Sequence, residues 1–202
     1  TIDGVTGAEK YMGRQESGSE PYTDIVLNTS KGNLNLSMKG PSAPSLAGGG
    51  YRGISAIIPD IGDNFFTMAY KNLIKNGYKT GDKIPDTVGK LNDKDKLLLV
   101  VGTKAMGGPI DYMYIGPMEV SYTQEGDAVK VNGSLYTSKY YAENKDLYFR
   151  LRARRIDQTF DEDAKYSNGI PKIYSKSPSK GDSAGRLMIT DKPSSKALQI
   201  TF

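Results

Sequence analysis

Apolar and polar residues alternate in short runs along much of the chain, and glycine or proline separates many of these runs. Alternation over four to eight residues is the pattern of a half-buried β-strand. The strands predicted from these runs are 22–28, 33–39, 96–102, 112–122, 128–135, 146–156, 185–190 and 197–202. The run at 96–102 is apolar almost throughout, which favours a central strand buried on both faces.

Helical periodicity is clear in one segment, 63–76, where Asp63 is the predicted cap and Gly77 follows the last turn. Its shared apolar face consists of Phe66, Ala69, Tyr70 and Leu73. A second, shorter helix is predicted over 6–15, with Glu9 at the capping-box position. Because strands outnumber helices, we expect an α+β fold with a mixed β-sheet and few flanking helices.

The chain length of 202 residues fits one domain over 1–202. Histidine and cysteine are both absent. Triads based on histidine, thiolate zinc sites and disulfides are therefore excluded, and catalysis would need carboxylates, lysine, hydroxyls and an oxygen-bound cation such as Mg²⁺. No apolar run approaches the roughly 20 residues that span a bilayer, so we expect no membrane association and a cytoplasmic or virion location.

Net charge points to an anionic partner. The chain carries a formal charge of +4 and its sequence pI is about 9.0. Among anionic partners nucleic acid is the commonest, and we expect DNA.

The most informative segment is the predicted hairpin over 23–40. A turn centred on Ser30 and Lys31 places Asp24 opposite Ser37, whereas a turn shifted by one residue places Asp24 opposite Lys39. Both registers put the three side chains on one face, since side chains alternate along a strand. A carboxylate, a hydroxyl and an amine are thus expected together.

A carboxylate beside a lysine suits metal-assisted hydrolysis of a phosphodiester, in which the ammonium stabilises charge on the phosphate. Asp24 alone is a poor Mg²⁺ site, so a second carboxylate is needed. Glu9 is the first choice because the predicted helix precedes the hairpin, and Glu16 and Glu20 are alternatives.

The order of an acidic N-terminal helix, TDIVL, a turn and LSMKG resembles the core of the PD-(D/E)XK, restriction-endonuclease-like nucleases. The resemblance implies that Asp24 is the metal-binding aspartate and Lys39 the catalytic lysine. Ser37 stands where the family usually has glutamate, which makes this a divergent SxK variant, and Pro21 precedes Asp24 by three residues. The implied nuclease-like core covers about 6–104, followed by a β-rich C-terminal part.

Arginines supply a second nucleic-acid signal. The strand predicted at 146–156 places Arg150, Arg152 and Arg154 on one face, and guanidinium groups bind phosphate oxygens well. Arg52, in the glycine-rich loop predicted over 41–53, is a further candidate phosphate contact.

Two hypotheses follow. The first is a Mg²⁺-dependent DNA nuclease with catalytic Asp24, Ser37, Lys39 and Glu9, in which Asp24 and Glu9 bind the metal. The second is a non-enzymatic protein associated with nucleic acid or a phage-derived virion structural protein, with a nuclease-like hairpin. In either case a homodimer or a virion assembly is expected.

Overall fold

The computed structural model describes residues 2–13, 20–41, 50–79, 82–119, 121–152, 166–167, 170–171 and 186–202. The chain divides into two compact units, each built from two separate stretches. Unit 1 comprises Thr1–Gly48 and Asp93–Lys145, and unit 2 comprises Gly49–Asn92 and Asp146–Phe202. The expectation of one domain over 1–202, with a nuclease-like core over 6–104, stays a prediction.

Strands dominate the secondary structure. They are β1 (Val5–Lys10), β2 (Ile25–Thr29), β3 (Gly32–Lys39), β4 (Thr87–Lys90), β5 (Tyr112–Ile115), β6 (Tyr122–Glu125), β7 (Ala128–Val131), β8 (Ser134–Thr137), β9 (Tyr148–Arg152), β10 (Tyr166–Ser167), β11 (Ile170–Pro171), β12 (Arg186–Thr190) and β13 (Leu198–Ile200). The helices are α1 (Gly50–Ile57), α2 (Ile61–Lys75), α3 (Asp93–Val101) and α4 (Ser138–Asn144), with a 3-10 turn at Lys104–Met106. The fold is mixed α+β with few helices, which confirms the predicted class. No helix in the described part of the chain is long and apolar enough to cross a membrane.

Unit 1 contains a five-stranded mixed sheet in the order β1-β2-β3-β5-β8. The first three strands form an antiparallel meander, and β5 then runs parallel to β3. A parallel neighbour requires a crossover connection. The crossover leaves β3 in the interior of the sheet, with β2 on one side and β5 on the other.

Unit 2 contains a four-stranded sheet in the order β12-β9-β4-β13. Phe65 on α2 lies against Phe149 and Phe202, with ring centroids 5.3 and 5.1 Å away. Gly89 on β4 leaves the space that the aromatic rings occupy, because a Cβ at this position would lie 2.7 Å from the Phe202 ring. The core of unit 2 is therefore an aromatic layer between α2 and the sheet.

Two predicted elements have the wrong secondary structure. The helix predicted over 6–15 is replaced by β1, in which Glu9 pairs with Val26 of β2. A short isolated helix is marginal in water, whereas this segment gains backbone hydrogen bonds to β2. The strand predicted over 96–102 is instead the end of α3, since a short apolar run fits either element and Asp93 and Asp95 occupy the first turn of the helix.

Two segments without a predicted helix or strand also need correction. No element is predicted between the helix 63–76 and the strand 96–102, yet this interval contains β4, a buried strand too short for its alternation to be recognised. The glycine-rich loop over 41–53 gives way to α1 at Gly50, and its residues 42–49 lie outside the described part of the chain.

Helix α2 agrees closely with its prediction. All four residues of the predicted apolar face are buried. The helix begins at Ile61, so Asp63 lies in the first turn and is not the cap. At the other end, the amides of Gly77 and Tyr78 donate to the carbonyls of Ile74 and Leu73, which is the Schellman ending that a glycine at C′ favours.

Gly77→Ala is expected to destabilise the protein by about 1 kcal/mol, because φ at Gly77 is +81° and an L-residue is strained there. The added Cβ meets nothing within 4 Å, so the backbone conformation alone is tested. Gly40→Ala is the matched control, since its Cβ also enters open space and its φ is not positive. Urea unfolding measures both variants, and equal midpoints for the two would contradict the prediction.

Candidate functional site

The hairpin of β2 and β3 adopts the first of the two predicted registers. Ile25 pairs with Leu36 and Thr29 pairs with Gly32, which leaves Ser30 and Lys31 in the turn. Continuing this register by one pair places Asp24 opposite Ser37. The structure therefore brings together Asp24 and Ser37, with Lys39 two residues farther along the same face of β3.

Hydrogen bonds fix both the side chain and the backbone of Asp24. Its side chain is bonded to β3, and its backbone is bonded to β3 and to the residue that follows β1. Its carboxylate oxygen Oδ2 accepts hydrogen bonds from the Met38 amide at 2.6 Å and from the Ser37 hydroxyl at 3.1 Å. Its amide donates to the Leu36 carbonyl, and its carbonyl accepts from the Tyr11 amide. A carboxylate that accepts two hydrogen bonds on one oxygen has a fixed orientation, and neither of these two bonds engages Oδ1.

Ser37 is almost completely buried, at 1% exposure. It lies between β2 and β5, where its register partner is Met113, itself buried. A hydroxyl in such a place must find a hydrogen-bond partner. Asp24 supplies that partner, so the serine at the position of the expected glutamate orients the aspartate.

Lys39 lies at the end of β3 and is half-buried. Burial lowers the pKa of its ammonium group, while the negative charges of Asp24 and Glu20 act in the opposite direction and only partly offset the effect. Its carbonyl accepts from the Gly116 amide, which fixes the strand end. A desolvated lysine beside carboxylates is a recurring feature of functional sites.

The connection that leads into β5 anchors the hairpin from one side. The Thr23 hydroxyl donates to the Gly107 carbonyl at 2.5 Å, and the Thr23 amide donates to the same oxygen. On β3, the Asn35 amide donates to the Asp111 carboxylate at 2.7 Å, and the Asn35 side chain donates to the Pro109 carbonyl at 2.8 Å. These bonds fix the strand on which Ser37 and Lys39 lie. Sequence reasoning overlooked them because their partners lie more than 70 residues apart.

The three candidate second carboxylates have different positions. Glu9 is exposed on β1 and pairs with Val26, so it lies on the Asp24 face but diagonally from it. The reason for preferring Glu9, a helix before the hairpin, is wrong. Glu20 is the carboxylate whose charge acts on Lys39. Glu16 lies outside the described residues.

The predicted phosphate-binding arginines lie in unit 2. Arg150 forms a half-buried ion pair with Asp86, whose Oδ2 atom is 2.7 Å from both Nε and Nη2 of the guanidinium. Arg52 lies in α1 and Arg152 is the last residue of β9, but their side chains are outside the described part of the structure. Arg154 lies entirely outside the described residues. Asp86 thus engages Arg150, and phosphate binding by these arginines stays a prediction.

Within the described residues, no cluster of three or more Asp, Glu, His or Cys side chains has the geometry of a metal site. Comparison with known protein families, with curated proteins and with solved structures finds no match for this chain.

Asp24→Ala is expected to destabilise the protein by about 1–3 kcal/mol, because it leaves the Met38 amide and the buried Ser37 hydroxyl without their acceptor. Asp24→Asn, which keeps an acceptor oxygen, should cost less. Denaturant unfolding of the two variants gives the comparison. Equal losses would show that the hydrogen bonds to Oδ2 do not stabilise the hairpin.

Lys39→Met is expected to change how stability depends on pH. Because the pKa of Lys39 is lowered in the folded protein, the unfolded chain binds more protons than the folded one between that pKa and the ordinary value. The free energy of unfolding of the wild type should therefore rise with pH between these two pKa values. At pH values below the lowered pKa, the ammonium group is charged in the folded protein and its burial destabilises the fold fully.

The methionine variant should be more stable than wild type near neutral pH, and the difference should shrink towards about pH 10. Unfolding curves over this range test the effect, with Lys31→Met in the exposed turn as the control. A constant difference across the range would show that Lys39 titrates as it does in the unfolded chain.

Proposed function

We propose that this protein is a metal-dependent nuclease that hydrolyses phosphodiester bonds in DNA, with Asp24, Ser37 and Lys39 at its site and a restriction-endonuclease-like core. The observation that carries the proposal is the hydrogen bond from Ser37 to Asp24 beside the desolvated ammonium of Lys39. A fixed carboxylate and a partly dehydrated cation on one strand pair are the groups that phosphodiester hydrolysis requires.

The two carboxylates proposed for this site are few, but their number is sufficient to bind Mg²⁺. This ion is commonly held by one or two carboxylates, with waters and substrate phosphates completing its shell. Asp24 and Glu20 would supply these carboxylates, since the charges of both act on Lys39. When bound, Mg²⁺ would lower the pKa of a coordinated water and neutralise charge on the phosphate.

The protein groups have separate roles. Ser37 and the Met38 amide orient the Asp24 carboxylate, and the sheet holds them in place. Lys39 donates hydrogen bonds to a non-bridging phosphate oxygen, where its positive charge stabilises the charge that develops during attack. Because the ammonium is already partly desolvated, little hydration has to be lost when a phosphate binds. The positive net charge of the chain supports an anionic polymer as substrate.

Wild-type protein is expected to nick supercoiled plasmid in Mg²⁺ or Mn²⁺, and EDTA should abolish the reaction. Lys39→Ala and Asp24→Asn should each lower the rate by at least about 100-fold, the scale of losing one charge-stabilising group. Lys31→Ala, in the turn of the same hairpin, is the control and should cleave like wild type. Circular dichroism confirms that each variant is folded.

The second carboxylate is tested in the same assay. Glu20→Gln should slow cleavage strongly, and Glu9→Gln should not, because the charge of Glu20, unlike that of Glu9, acts on Lys39 beside Asp24. The reverse result would assign the metal to Glu9. If folded wild type and all variants are equally inert on plasmid and on single-stranded DNA, the nuclease proposal fails and the non-enzymatic structural alternative takes its place.

A further inference from the structure

Three tyrosines form an aromatic cluster where β8 leads into α4 in unit 1. The ring of Tyr140 lies parallel to that of Tyr136, with an interplanar angle of 6° and ring centroids 6.5 Å apart. The ring of Tyr141 meets Tyr136 edge-on at 5.4 Å. Tyr141 is almost completely buried and Tyr136 is half-buried, whereas Tyr140 is 54% exposed. The cluster thus reaches from the core to the surface, and the half-buried ring supports the exposed one.

The register of the sheet connects this cluster to the candidate site. Ser37 pairs with Met113 on β5, and Met113 pairs with Tyr136 on β8. Register partners on neighbouring strands have their side chains on the same face of the sheet. Tyr136 therefore shares a face with Ser37 and with Asp24, which Ser37 contacts. Adjacent strands lie about 4.8 Å apart, so two spacings place the backbone of Tyr136 about 10 Å from that of Ser37.

The surroundings of the exposed ring suit a polyanion. Lys139 precedes Tyr140 in α4, and its side chain is 72% exposed. It forms an ion pair with Glu143 at 3.8 Å in which both side chains are exposed. Such a pair is weak in water, so the ammonium group is available to a phosphate. Aromatic rings beside positive charge are the combination with which proteins bind unpaired nucleic acid, since the rings stack on bases and the cations contact the backbone.

We propose that the exposed ring of Tyr140, supported by Tyr136, stacks on an unpaired base of the DNA substrate. The proposal rests on the nuclease function proposed above and names its substrate class. In a duplex each base is stacked between its neighbours, whereas a single strand can present the face of a base to an aromatic side chain. Single-stranded or locally unpaired DNA is therefore the preferred substrate.

The separation of the two places fits a single strand. With a rise of about 3.4 Å for each nucleotide of a strand, a distance of about 10 Å spans roughly three nucleotides. One base can therefore lie on Tyr140 while a phosphate of the same strand lies beside Asp24 and Lys39.

Binding of a fluorescently labelled oligothymidylate of about 12 nucleotides, measured by anisotropy in EDTA so that no cleavage occurs, tests the contact. Tyr140→Ala should weaken binding at least about 5-fold because the base loses its stacking partner, and Tyr140→Phe, which keeps a ring, should bind like wild type. Tyr122→Ala is the matched control, since Tyr122 is 72% exposed but lies on the separate β6–β7 hairpin. If Tyr140→Ala is folded by circular dichroism and binds as tightly as wild type, or if Tyr122→Ala loses as much affinity, the proposal is overturned.

An oligonucleotide of the same length whose sugars carry no bases separates stacking from charge. Wild type should bind it at least about 5-fold more weakly than oligothymidylate, and Tyr140→Ala should discriminate less between the two. Equal binding of both oligonucleotides by wild type would also overturn the proposal, because contacts to the backbone would then account for all of the affinity.

These outcomes are independent of catalysis. If wild type nicks plasmid and Tyr140→Ala binds oligothymidylate normally, base stacking is wrong and the nuclease proposal stands. If wild type binds oligothymidylate through Tyr140 but cleaves no DNA, the nuclease proposal is wrong and base stacking stands. A wild type that does not bind oligothymidylate overturns base stacking, whatever the cleavage assay shows.

Discussion

The hydrogen bonds from Ser37 and Met38 to the Asp24 carboxylate are the interaction on which the candidate site depends. They join the start of β2 to the end of β3 and fix the hairpin register at its open end, while Ser30 and Lys31 fix it at the turn. A slip of one residue in one strand would turn its side chains to the other face of the sheet. The same bonds that stabilise the hairpin therefore present Asp24 and Lys39 on one side.

The position of β5 adds a second constraint. β5 runs parallel beside β3 and makes it an interior strand, and Ser37 on this strand is excluded from water. Lys39 on the same strand loses part of its hydration, which lowers its pKa. In a site open to solvent on both sides, these two residues would be ordinary exposed polar groups. Burial is therefore what distinguishes this short Ser-x-Lys segment from an exposed one.

The structure also links the two hypotheses about function. The carboxylate that would bind a metal already satisfies an amide and a hydroxyl, so its geometry has a structural value even without catalysis. Lys39 is half-buried beside the charges of Asp24 and Glu20, and burial lowers the pKa of its ammonium group more than those charges raise it. Its charge therefore destabilises the fold to the extent that it is desolvated.

Local sequence patterns are sufficient to predict the elements whose periodicity is strong. They predict α2 with its apolar face and Gly77 ending, the strands β2 and β3, and the shared face of Asp24, Ser37 and Lys39, because side-chain direction follows from periods of 3.6 and 2. Local patterns do not predict the hairpin register, the strand conformation at Glu9 or the helical conformation of the apolar run in α3, and the folded structure is needed for all three. Each of these depends on pairing or packing with distant residues, and local preference alone is too weak to select between the alternatives. The charge interaction of Glu20 with Lys39 and the anchoring of Thr23 and Asn35 also depend on residues distant in the chain or on its three-dimensional path.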